Sequence, residues 1–120
     1  MKKLLLLATS TLLLTACAAP KQVPLAMVYI NTGAIQCEIE GQTGVQTARL
    51  LTDNNIEVSK TQCGNLSNMA VASVCGGTTT EINVHTIPLD KVEYAQDLGF
   101  EDVSTLKMQD DLGYNVSDCK

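Results

Sequence analysis

The 120-residue sequence has no tryptophan, a single phenylalanine and three tyrosines. Carbohydrate platforms, nucleobase-stacking surfaces and many interface anchors lean on aromatic rings, so this scarcity argues against a reader of sugars or bases that works by stacking. Basic residues are few as well: eight Lys and Arg stand against thirteen Asp and Glu, a net charge of −5. Nucleic acid is therefore not an expected partner, because its affinity comes largely from Lys and Arg neutralising phosphates. There is one histidine, His85, and no Cys-x-x-Cys, which leaves neither a zinc knuckle nor a thioredoxin-type redox pair. No Gly-x-Ser-x-Gly elbow occurs, and Gly76-Gly77-Thr78-Thr79-Thr80 lacks the lysine of a phosphate loop. With no nucleophile or metal set beside a tuned acid or base, the expectation is a protein that is not an enzyme and uses no cofactor.

A long hydrophobic run is also missing. The apolar stretch over residues 4–14 follows the basic start Met1-Lys2-Lys3, and as a helix it would span only ~16 Å, about half a bilayer core. That length suits the apolar region of an export signal rather than a transmembrane span. The run ends in Leu14-Thr15-Ala16-Cys17, which resembles the lipobox of bacterial lipoproteins. The resemblance implies that the Cys17 thiol is diacylated, that residues 1–16 are cut away, and that the new amino group is acylated. It also implies export to the outer membrane, since Ala18 stands where an Asp would suggest retention in the inner one. Two or more acyl chains make such an anchor stable, so the expected partnership with the membrane is attachment. Residues 18–24, with two prolines and Lys21, form a tether that reaches at most about 25 Å, which keeps the folded domain close to the membrane.

Without the first sixteen residues the chain carries six basic and thirteen acidic groups, a net of −7. An acidic excess of this kind is mostly a solvated face. Besides Cys17 there are four cysteines, Cys37, Cys63, Cys75 and Cys119. An even number in an exported domain of about 100 residues reads as two structural disulfides. Four cysteines allow three pairings; Cys63–Cys75 with Cys37–Cys119 is the expectation, the first closing a hairpin-like loop and the second tying the tail to the sheet.

Residues 28–30 are β-like and Asn31-Thr32-Gly33 is a turn signal. Ile35, Cys37 and Ile39 alternate with Gln36, Glu38 and Glu40, a period-two pattern that predicts a strand with Cys37 facing inward. Thr43-x-x-Gln46 fits a capping box, and Val45, Ala48 and Leu51 predict an amphipathic helix to about Asp53, with Asn54-Asn55 as its left-handed exit. Ile56 and Val58 open the next strand, so that strand, helix and strand make a βαβ unit with parallel strands. Residues 63–68 read as a loop, 71–75 as a β-branched strand and 81–87 as another, with Ile82 and Val84 on its inner face and Glu81, Asn83 and His85 on its wet face. A second helix follows Pro88, its stripe made of Leu89, Val92, Ala95 and Leu98, with Gly99 and Phe100 as its cap.

The expected fold is α+β: a two-layer sandwich with a small mixed sheet of about four to five strands and two helices on one face, stapled by two disulfides. The chain divides into a signal over 1–16, a lipidated cysteine and tether over 17–27, a periplasmic domain over 28–107 and an acidic tail over 108–120. Glu38 and Glu40 share a solvent face that would not raise a carboxyl pKa, and Asp110, Asp111 and Asp118 lack the ordered spacing of a calcium loop, so no metal site is expected. The function expected is a periplasm-facing lipoprotein of the outer membrane that works by contact with an envelope protein. The alternatives are an envelope stress or redox sensor, and a small inhibitor or ligand binder using the loop at residues 63–68.

Overall fold

A computed structural model describes Cys17 and residues 21–120; the expected export signal lies outside the described residues, as do residues 18–20 of the tether. Five strands and two helices form: β1 (Leu25–Asn31), α1 (Gly44–Thr52), β2 (Lys60–Leu66), β3 (Glu81–Pro88), α2 (Val92–Asp97), β4 (Glu101–Asp102) and β5 (Tyr114–Ser117). They make the expected α+β sandwich, with two disulfides. The sheet order is β4-β1-β3-β2-β5 and every neighbouring pair is antiparallel. β1 and β2, on either side of α1, do run parallel to each other, but β3 lies between them. β3 and β4 flank β1 in the same way. Two split βαβ units thus interleave, as in ferredoxin-like sandwiches, and β5 extends the β2 edge.

Local signals explain the helices. Thr43 Oγ1 accepts from Gln46 N–H and Gln46 Oε1 accepts from Thr43 N–H, the complete capping box. Asn55, with φ 60°, makes the left-handed exit. The buried stripe of α1, however, is Gly44, Thr47 and Leu51, with Val45 64% exposed, so the helix is rotated from the face its sequence suggests. α2 is preceded by a 3₁₀ turn at Leu89–Lys91 and closed at Gly99, φ 102°, with Phe100 folded back into the core as its cap contact. Leu89, expected in the inward stripe, is 53% exposed.

One face of the sheet carries both helices. Val28, Leu51, Ile56, Ile87, Ala95 and Phe100 pack together there. The opposite face is covered too: Tyr29, Ile82, Val84 and Tyr114 close on Val103 from a 3₁₀ turn at Val103–Leu106. β3 is therefore wet on neither side.

Several expectations are corrected. Residues 35–39 are no strand; Ile35 and Ile39 exchange backbone hydrogen bonds of 2.9 and 3.0 Å, so the chain turns back on itself. Cys37 sits on that turn at φ 67° and is exposed rather than inward. Period two cannot persist where Gly33 and Gly41, both at positive φ, bend the chain at each end. Residues 67–80, expected to hold a strand at 71–75, form an irregular loop instead; it is tied down by Gln36, whose side chain donates to Ala72 O and Thr78 O at 2.8 and 2.9 Å. The disulfides are Cys37–Cys75 and Cys63–Cys119, not the expected pairs. The strand expected from Ile56 begins only at Lys60 and runs through the supposed loop to Leu66, and the sheet is wholly antiparallel rather than mixed. The supposed tail contains β5, and the sheet already begins at Leu25, ahead of the expected boundary at 28.

Candidate functional site

The tether meets the sheet at Leu25, paired with Pro88, and β1 runs from there to Asn31, opposite Ile82. Seven residues of strand span roughly 20 Å. At that far end lie both bent loops, residues 32–42 and 67–80, and both disulfides join elements there. Cys37–Cys75 clips the two loops together and both of its half-cystines are exposed. Cys63–Cys119 pins the chain after β5 to β2 beneath the start of α1; a Cβ on Gly44 would stand 3.5 and 3.7 Å from its two sulfurs. Cys17, the residue expected to carry lipid, is exposed and outside both disulfides.

Between the loop at 40–44, the ends of β2 and β3, and the C-terminal residues there is a cleft of about 250 Å³. Gly41, Gly44, Gly64, Ile82 and Cys63 line its walls, with Glu40, Glu81, Asp118 and Lys120 among its charged residues. Lys120 donates to Glu81 Oε1 at 2.8 Å, the one ion pair among the described residues. That bond and the Glu81 charge, with a smaller contribution from Glu40, push the Lys120 pKa up.

Asn83 also lines the cleft and is only 2% exposed. Its Nδ2 donates to Gln42 O at 3.0 Å, which fixes the amide's orientation. Its Oδ1 lies 3.5 Å from Cys63 Sγ. That sulfur is in a disulfide and carries no hydrogen, so this is van der Waals contact, and Oδ1 has no donor among the described residues.

Next to Asn83 on the same face, His85 is fully buried and not on a wet surface. Its Nε2 is 2.8 Å from Thr47 Oγ1 and its Nδ1 2.9 Å from Thr61 Oγ1. Each hydroxyl donates or accepts, so a neutral imidazole is satisfied in either tautomer. Burial lowers the His85 pKa to about 4, and its ring meets Phe100 edge-on at a centroid distance of 6.0 Å. It is a core residue, not a surface base. On the opposite face the Tyr29 hydroxyl donates to Glu101 Oε2 at 2.5 Å; burial first, then that carboxylate, raises the Tyr29 pKa to about 12.

Glu38 and Glu40 are both exposed. Asp111 Oδ1 accepts from Gly113 N–H at 2.8 Å and so shapes a turn. Asp118 joins the cleft rather than Asp110 and Asp111, and no group of three or more His, Cys, Asp or Glu side chains among the described residues is placed to hold a metal. No helix among them is long and apolar enough to cross a membrane. The cleft has no signature in the sequence, because it is assembled from five separate segments; the only hint was a polar Asn83 in a strand that proves central. Neither a protein-family model, nor a curated protein, nor a solved structure matches this chain.

Proposed function

We infer that this chain is a non-catalytic lipoprotein of the bacterial outer membrane, held by Cys17 and facing the periplasm, that acts through contact with an envelope protein. The observation that carries this reading is Leu14-Thr15-Ala16-Cys17 at the end of a basic-then-apolar leader. The geometry of the domain fits it. The tether joins the sheet at the Leu25 end, and the clipped loops and the cleft lie at the other end of the strands, which leaves them free for a partner. In-cell crosslinking of the lipidated protein from residues in loops 32–42 and 67–80 tests the reading. It should return envelope proteins, whereas crosslinks from the Leu25 end alone, or to cytoplasmic proteins, would sink it.

A second reading, a redox sensor of the envelope, is favoured by one observation: both halves of Cys37–Cys75 are exposed. It requires that mild reduction changes an envelope response while the abundance of the protein stays constant. An unchanged response removes it.

A further inference from the structure

We propose that the cleft at the far end of the sheet binds a primary alkylammonium group, with Asn83 Oδ1 as its buried acceptor and the carboxylates of Glu40, Glu81 and Asp118 as its charge complement. The proposal rests on the cleft alone and not on the lipid anchor. Buried side-chain oxygens are nearly always hydrogen-bonded, and an exception calls for a reason. Asn83 is 2% exposed, its amide nitrogen is committed to Gln42 O, and its oxygen abuts a sulfur without a hydrogen. Asn83 lines the cleft, and a donor for its oxygen can reach it from there.

The surroundings select the kind of donor. Three carboxylates and one ammonium line the cleft, and that ammonium, on Lys120, is already bonded to Glu81. Glu40 and Asp118 have no ion-pair partner among the described residues. A primary ammonium has three donors and no acceptor, matching a site of oxygens. An anion would gain from the start of α1, which carries about half a positive charge, but it would confront Asn83 Oδ1 and a surplus of carboxylates. Three glycines and the Cys63 half of a disulfide stand among the lining residues, small groups that leave room for a methylene stem. A volume of about 250 Å³ falls below the ~300–1,000 Å³ of pockets for drug-sized ligands, which limits the guest to one side-chain-sized group. A free alkylamine and a lysyl side chain of another protein both supply that chemistry.

Nitrogen-15 NMR titration of the oxidised chain from residue 17 onward, expressed without its leader and carrying Cys17→Ser, tests the proposal, with n-butylammonium and N-acetyl-lysine-N-methylamide as probes and n-butanol and acetate as controls. Saturable millimolar shifts confined to Gly41, Gly44, Gly64 and Asn83 are expected with both amines and with neither control. The double variant Glu40→Gln/Asp118→Asn, which alters only exposed side chains, should weaken binding about fivefold, as should a rise in salt. Asn83→Leu should abolish it; if that variant does not fold, the double variant decides. Equal affinity for the two amines assigns the site to free amines, and a clear preference for the lysyl amide assigns it to a protein's lysine. No saturation by roughly 50 mM, which corresponds to negligible affinity, or equal binding of n-butanol, overturns the proposal and leaves Asn83 Oδ1 to water.

Discussion

His85 has a threonine hydroxyl on each ring nitrogen and no carboxylate among its partners, so no opposite charge offsets the hydration that an imidazolium would lose there. Its pKa falls from 6.5 to about 4. Above pH ~6.5 the residue is neutral in both the folded and the unfolded chain and contributes no pH dependence. Between pH 6.5 and 4 only the unfolded chain takes up the proton, so stability falls with pH at up to ~1.4 kcal/mol per unit, roughly 3 kcal/mol in all. Urea unfolding at pH 7 and pH 4.5, disulfides intact, should show this loss, and His85→Gln should flatten it. A wild-type stability that does not change over this range would contradict the burial of the ring. Tyr29 acts at the other extreme: its pKa is raised to about 12, so the stability it lends is lost as pH climbs from 10 towards 12. Gly113 is a steric case. It holds φ 86°, and a Cβ there would come within 2.3 Å of Leu106 O. Gly113→Ala should therefore cost at least about 2 kcal/mol and loosen the cover over Tyr114, measurable as a lowered Tm.

At the scale of elements, the two disulfides close loops of similar length, with separations of 38 and 56 residues. Chain entropy assigns each about 4 kcal/mol, so position rather than size distinguishes them. Cys37→Ser/Cys75→Ser should speed amide exchange in residues 33–41 and 67–80 while the core keeps its protection. Cys63→Ser/Cys119→Ser should expose β5 and the β2 edge instead. Exchange that spreads over the whole sheet in the first variant would show that the clipped loops are integral to the core. The legibility of these elements followed the range of the forces that form them. The Thr43–Gln46 box, the Asn55 exit, the Gly99–Phe100 cap and the 81–87 strand depend on neighbours within a few residues, and all can be read in the sequence. Residues 35–39 misled because alternation says nothing about flanking glycines at positive φ. The pairing of four cysteines, and the polar edge strand β5, depend on partners 38 to 56 residues away. Alternation puts His85 and Asn83 on one face of their strand, as the structure does, but no local pattern shows that α1 covers that face.

For the whole molecule, an α+β body of interleaved split βαβ units joins its tether at one end and carries its clipped loops and cleft at the other. A fold of this kind hosts many functions, so its meaning here depends on what holds it and where. Anchoring at Cys17 would confine an acidic domain within about 25 Å of a membrane. Two acyl chains make that attachment durable, whereas a free thiol would leave the domain to diffuse. Intact-mass analysis of the protein purified from bacterial membranes, beside Cys17→Ala, therefore decides whether the domain is anchored. The wild-type chain is expected to begin at residue 17, heavier by a diacylglyceryl group and an N-acyl chain, and the Cys17→Ala protein to retain its leader and gain no lipid. A wild-type chain with an unmodified Cys17, or one processed at another position, would contradict the anchor at Cys17.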